Sequence, residues 1–171
     1  MIKNTSNDSK AGLPAIVDSK SEILILGTLP SEKSLKKGEY YANPSNQFWK
    51  IISSIFNEPT PITYDDKLLL LQNHHIALWD VLKTANRKNS LDSSIENPIP
   101  NDIMGFIANY PSLRIIGFNG KKAMTLFKKT FISTNHIPKR LQIRLLPSTS
   151  SANTHLGLDE KIMDWKKILE R

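Results

Sequence analysis

The sequence contains no cysteine. That excludes disulfides, cysteine-ligated zinc and iron–sulfur clusters together, and it suits a reducing compartment, so a cytoplasmic protein is expected. The four histidines, His74, His75, His136 and His155, show neither HExxH nor His-x-His spacing, and no metal site is expected. No apolar run approaches the about eighteen residues of a membrane span. The opening MIKNTSNDSK is polar and lacks the apolar centre of a signal peptide, so no membrane partner is expected. Neither GxxxxGK followed by Ser or Thr nor GxGxxG occurs, and the usual cradle for a nucleotide phosphate is therefore missing. There is no internal repeat and no low-complexity tract.

What is there fits one folded unit. A chain of 171 residues with 39% hydrophobic and 23% charged residues can bury a single core. We expect a loose, flexible lead-in over residues 1–18 and one domain over residues 19–171. The net charge of +7 has two readings, a surface that attracts polyanions and a lysine-rich surface that only confers solubility.

Short apolar runs alternate with amphipathic segments along the chain. SEILILG (21–27), LRIIGFNG (113–120) and LQIRLL (141–146) read as buried strands. NQFWKIISSIF (46–56) puts Phe48, Ile51, Ile52 and Ile55 on one helical face, with Ser45 or Asn43 as cap and Pro44 at its start. DDKLLLLQNHH, PNDIMGFIANYP, KKAMTLFKKTF and LDEKIMDWKKILER read as further helices. TLPSEKSLKKGEYYANPS reads as a long loop, and IALWDVLKTANRKNSLDSSI as an apolar segment passing into a polar loop. This alternation predicts an α/β fold, a three-layer α-β-α sandwich around a central, mostly parallel sheet. Ligands of such sheets bind beyond the carboxyl ends of the strands, so the loops after the three strands should meet at one site.

Those loops carry a family resemblance. LGTLPSEKS with YYANPSNQFWKII resembles the first motif of the mismatch-specific uracil/thymine DNA glycosylases, Gly-x-Asn-Pro-Gly followed by Pro-x-Asn-x-Phe-Trp. LRIIGFNGKKA is similar to their later strand and helix, and LLPSTSSAN to their closing Pro-Ser loop. ALWDVL, an Arg and SLDSSI between them look like the hypoxanthine-DNA glycosylase branch of the same uracil-DNA glycosylase superfamily. The resemblance runs from about Ile23 to Trp165. It implies double-stranded DNA with a damaged or mismatched base as partner, base flipping, water as nucleophile, and neither metal nor organic cofactor. A monomer is expected. The sequence departs from the family at Leu29, where relatives carry the Asn or Asp that positions the attacking water. Leucine can neither orient water nor stabilise a cation. The hypoxanthine branch also lacks that residue and relies on asparagines elsewhere.

The resemblance therefore points to Asn43, Asn46 and Asn119 as catalytic candidates. An asparagine can hold water through its carbonyl oxygen while its NH2 bonds the backbone. Asn46 has a second reading as helix cap or loop brace, and Asn119, between a strand and a helix, as turn residue or N-cap. Tyr41 matches the ring that stacks on the flipped base, and Tyr40 reaches the same pocket or packs in the core. Gly27, Thr28 and Leu29 would form the base-binding turn. Phe48 and Trp49 are expected in the core. Ser148, Thr149, Ser150, Ser151, Ala152 and Asn153 match the loop that grips DNA phosphates, with Ser151 where the hypoxanthine branch typically has Pro. Arg87 and Lys88 are candidates for backbone phosphate contacts, or else solvated surface charges. His155 is a surface residue or a general acid. Lys121, Lys122, Lys128 and Lys129 supply general positive charge. Three activities stay in competition: hypoxanthine excision, uracil or G:U/G:T mismatch excision, and nucleic-acid binding without catalysis.

Overall fold

The apolar runs become strands and the amphipathic segments become helices in a computed structural model of the chain, which describes residues 9–87, 95–132 and 137–169. In chain order the elements are β1 (Ser9–Ala11), β2 (Ile23–Gly27), α1 (Glu32–Lys37), α2 (Phe48–Ile55), α3 (Tyr64–Asn73), β3 (Ile76–Asp80), β4 (Leu82–Arg87), β5 (Ile95–Pro100), α4 (Ile103–Asn109), β6 (Ile115–Asn119), α5 (Lys121–Phe127), β7 (Gln142–Leu146) and α6 (Leu158–Leu169).

The central sheet has the order β3-β2-β6-β7, and all its pairings are parallel. A parallel sheet is covered on both faces, so its inner strands are near-continuous apolar runs, and all five residues of β2 are buried. Ile23, Ile25 and Leu78 pack on one face against Phe48 and Ile52 of α2 and Trp165 of α6. Leu24, Leu26 and Phe118 pack on the other against Ile103 and Ile107 of α4 and Phe127 of α5. The three-layer α-β-α sandwich follows.

Four features differ from the sequence reading. The apolar segment after α3 is a fourth parallel strand, β3, in register with β2 from Ile23↔Ile76 to Gly27↔Asp80. A single residue, Val81, separates β3 from β4, which leaves for a second, antiparallel sheet of order β1-β4-β5. The expected lead-in is ordered from residue 9: Ser9–Ala11 pair with β4, Ile16 bridges to Leu78 through both backbone bonds, and Leu13, Ile16 and Val17 pack on the core. Those apolar side chains cover surface that the edge strand β3 would otherwise leave open. Residues 1–8 lie outside the described residues. Finally, the long loop contains α1, capped by the Ser31 hydroxyl at the Ser34 N–H and ended by Gly38 with φ +67°.

Among the described residues no helix is long and apolar enough to cross a membrane.

Candidate active site

β2, β3, β6 and β7 end side by side, and the segments that follow them line one cavity of about 370 Å³. That size falls within the about 300–1,000 Å³ typical of small-molecule pockets. Gly27, Thr28 and Leu29 form one wall, Tyr40, Tyr41, Asn43 and Asn46 a second, and Asn119 with residues 148–153 a third. The expected convergence of loops is therefore geometrically real. Arg87 closes β4 opposite Ile95 in the second sheet. Lys88 lies outside the described residues.

Tyr41 has a backbone φ of +51°, a left-handed conformation that costs a non-glycine residue about 1–3 kcal/mol. Its neighbours hold it there. The Tyr40 N–H donates to the Tyr64 hydroxyl, the Tyr40 carbonyl accepts from the Trp49 indole, and the Ala42 N–H donates to the buried Ser34 hydroxyl. The strained turn lays the Tyr41 ring on Phe48, with centroids 4.1 Å apart and planes 17° from parallel. Phe48 covers one ring face, and the half-buried tyrosine also lines the cavity. Tyr40 touches the same wall but is a core residue, 3% exposed, with its hydroxyl donating to the Leu13 carbonyl. Burial, and then the nearby Asp80 carboxylate, push that hydroxyl's pKa far up, so it stays protonated. Phe48 and Trp49 are buried, as expected.

The three asparagines have different polarities. Asn43 accepts from the Ser45 N–H at 3.2 Å and the Ser45 hydroxyl at 3.1 Å, both through Oδ1. A backbone N–H can only donate, so it fixes which end of the amide faces it. Among the described residues the Asn43 NH2 has no protein partner, in a residue that lines the cavity. This reverses the sequence expectation of a carbonyl held toward water. Asn46 repeats the pattern: its Oδ1 accepts from the Phe48 N–H at 3.0 Å and so caps α2, whose N-cap residue, Gln47, makes no side-chain cap bond. Asn119 is committed to the protein. Its NH2 donates to the Tyr41 hydroxyl at 2.8 Å and to Thr149 Oγ1 at 2.9 Å, and its Oδ1 accepts from the Thr149 N–H at 2.9 Å. It clamps β6, the aromatic wall and the closing loop together.

The closing loop is braced from within. Ser148 Oγ accepts from the Ser150 N–H, Ser150 Oγ from the Ala152 N–H, and the Asn153 amide donates to the Ser148 carbonyl. Thr149 is fully buried, with its hydroxyl taken by Asn119, so it anchors the loop. Ser151 and Ala152 are the exposed tip, and Ser151 Oγ lies 3.2 Å from Ser45 Oγ across the cavity mouth. Gly120, at φ +98°, lets Ser148 pack close to the end of β6, since a Cβ there would lie 3.1 Å from the Ser148 Cβ. His155 is exposed at the rim.

The sequence reading missed Asp80. It is 4% exposed, ends β3 and lines the cavity. Strand alternation puts it on the face of Ile76 and Leu78, opposite Gly27 in register. A Cβ on Gly27 would sit 2.5 Å from Asp80 Oδ1 and 3.2 Å from the Tyr41 hydroxyl, so glycine is what lets both polar groups reach the cavity floor. The signal was present in IALWD, an apolar strand ending in an acid at the end of the sheet where ligands bind. Leu29 touches the cavity edge, yet it is 7% exposed and belongs to the core cluster of Leu26, Val81 and Phe118. Among the described residues no group of three His, Asp or Glu side chains could hold a metal ion.

Fold and cavity together define an α/β domain of the DNA-glycosylase class. The pattern of the uracil DNA glycosylase superfamily matches residues 14–169, and the chain belongs to that superfamily. It is 36% identical over 160 residues to a hypoxanthine DNA glycosylase of Methanosarcina acetivorans, covering 93% of this chain and 97% of that protein. It is 38% identical over 115 residues to a hypoxanthine DNA glycosylase of Methanosarcina barkeri, covering 67% and 73%. A solution NMR structure from Methanosarcina acetivorans, described provisionally as a uracil DNA glycosylase, superposes with a TM-score of 0.79 at 36% identity, over 94% of this chain and 96% of that one.

Proposed function

We propose that this protein is a monofunctional DNA glycosylase that removes hypoxanthine from deoxyinosine in double-stranded DNA, with water as nucleophile and an abasic site as product. Cleavage of the glycosidic bond leaves positive charge on the sugar and negative charge on the departing base, so the site must offer fixed dipoles to that charge. The observation that carries the reading is the polarity of the cavity. Asn43 and Asn46 spend their carbonyl oxygens on backbone N–H groups, which leaves NH2 donors at the wall, while Asp80 brings a carboxylate to the floor. Hypoxanthine presents a carbonyl oxygen beside a ring N–H; donors and an acid acceptor match that edge. Adenine presents the opposite order. Tyr41 supplies the stacking face, and the Ser148–Asn153 loop grips the backbone. The enzyme works as a monomer in the cytoplasm, without cofactor. Uracil shares the carbonyl and N–H edge, so uracil excision is the second reading, and the names of the curated relatives favour hypoxanthine.

The test is excision from duplexes carrying one inosine, uracil, xanthine or mismatched thymine, followed by alkali, with borohydride trapping alongside. Inosine strands should be cut fastest and no trapped adduct should form. Uracil cleavage without inosine cleavage would move the protein to the second reading. Duplex binding with no cleavage of any lesion would make it a non-catalytic binding domain.

Leu29→Asn tests the role of that position. With its side chain in the core, the variant would bury an amide at a cost of about 1–3 kcal/mol and melt several degrees lower, with no uracil activity gained. New uracil excision by a folded Leu29→Asn protein would show that an amide at this cavity edge can serve the reaction.

A further inference from the structure

Lys161 is out of character with its helix. It is 1% exposed, while Lys166 and Lys167 on the same helix face solvent. Its Nζ donates to Gln47 Oε1 at 2.9 Å and to the Asn153 carbonyl at 3.0 Å, and both acceptors are neutral. Burying an ammonium is costly, and desolvation holds this one's pKa below the ordinary lysine value. A residue kept under that penalty needs a geometric reason. Four residues on, and so on the same helical face, the buried Trp165 donates its indole N–H to the Pro147 carbonyl at 2.8 Å. The two side chains thus hold the closing loop by a backbone carbonyl at each end.

The second Lys161 bond reaches across to the other half of the site. Gln47 directly follows Asn46, and its own N–H donates to the Thr149 carbonyl at 3.0 Å. Lysine and glutamine together tie the loop to the segment that carries Tyr41, Asn43 and Asn46. We propose that Lys161 is a positioning residue, which locks the closing loop against the amide-bearing segment in the shape that receives the DNA backbone. The proposal rests on the glycosylase reading for the role of the loop. It makes no demand on the bond-breaking step, because Lys161 does not line the cavity.

The test is Lys161→Met, similar in length but unable to donate. Affinity would be measured on a duplex with an uncleavable tetrahydrofuran abasic site, and excision as the single-turnover rate at saturating inosine duplex. We expect a Kd about tenfold higher, equivalent to about 1.4 kcal/mol, with the maximal rate within about threefold of wild type. Gln47→Met cuts the link to α2 without burying a new unpaired group on the loop, and should raise Kd about threefold; if Lys161→Met does not fold, this variant decides on the same measurement. A Kd within experimental error of wild type in the folded variants, or a loss confined to the maximal rate, would overturn the assignment and leave Lys161 a packing residue. A wild type that binds the duplex but excises nothing would defeat the glycosylase reading while the binding arm still judges Lys161. A wild type that binds no duplex would defeat both.

Discussion

Asn43→Ala should slow single-turnover excision of inosine about a hundredfold while leaving the melting temperature almost unchanged. The rate effect is the scale seen when one preorganised donor aimed at developing charge is removed, about 2.7 kcal/mol. The stability effect is small because the groups that Asn43 holds, the Ser45 N–H and hydroxyl, are exposed and can bond water instead. Asn43→Asp separates two mechanisms. An aspartate keeps both Ser45 bonds but replaces the NH2 donors with an anion facing the departing base. If the residue acts as a donor, that variant should be as slow as the alanine one. Full activity in Asn43→Asp would mean that an acceptor holding water is what the reaction needs. Asn46→Ala is the companion: it also removes the bond to the Phe48 N–H, so it should lose rate and melting temperature together.

Tyr41→Ala should reduce excision roughly ten- to a hundredfold, since base–aromatic stacking contributes about 1–3 kcal/mol. One ring face lies on Phe48, and the half-buried ring lines the cavity with what remains. Alanine would keep the left-handed backbone strain and lose the ring contacts that offset it, so melting should fall as well. Tyr41→Phe isolates the hydroxyl. It preserves the face and removes the hydroxyl that accepts one Asn119 N–H, so its rate should stay within a few-fold of wild type and the change should appear chiefly in the melting temperature. Single-turnover rates and melting curves of the two variants check this. An alanine variant with the wild-type rate would end the stacking role.

The sheet was legible where strands stop at glycine or turn residues, as in ILILG and RIIGFNG, because those breaks are local. β3 was not, since IALWDVL runs straight on from one sheet into the other. Its break at Val81 is made by long-range bonds, from the Val81 N–H to the Gly27 carbonyl and from the Asn101 N–H to the Val81 carbonyl. The site followed the same division. Residue types in YYANPSNQ and PSTSSAN marked two of its walls, and Gly27, Thr28, Leu29, Tyr40, Tyr41, Asn43, Asn46, Asn119 and residues 148–153 all line the cavity. The direction of each amide could not be read, because it depends on which backbone N–H the folded chain brings near. That is why Asn43 turned out to spend its carbonyl oxygen on Ser45 and Asn119 to be a clamp, although both are asparagines beside a turn. Asp80 escaped for a related reason: an acid after an apolar run looks like the start of a loop until the neighbouring strand sets Gly27 beside it.

The Asn119 clamp carries a thermodynamic corollary. One side chain bonds both the Tyr41 ring of the cavity wall and Thr149 of the closing loop, so on the proposed function occupancy of the pocket and the set of the loop are not independent variables. Linkage makes any such coupling reciprocal: the factor by which an occupied pocket tightens the loop on DNA is the factor by which a gripped strand tightens the pocket on its base. Undamaged duplex, which fills no pocket, would then be held with the loop's share of the affinity alone. On the proposed function such a protein would let go of intact sequence quickly and dwell where a base has come out, with search speed and selectivity coupled through the same three hydrogen bonds.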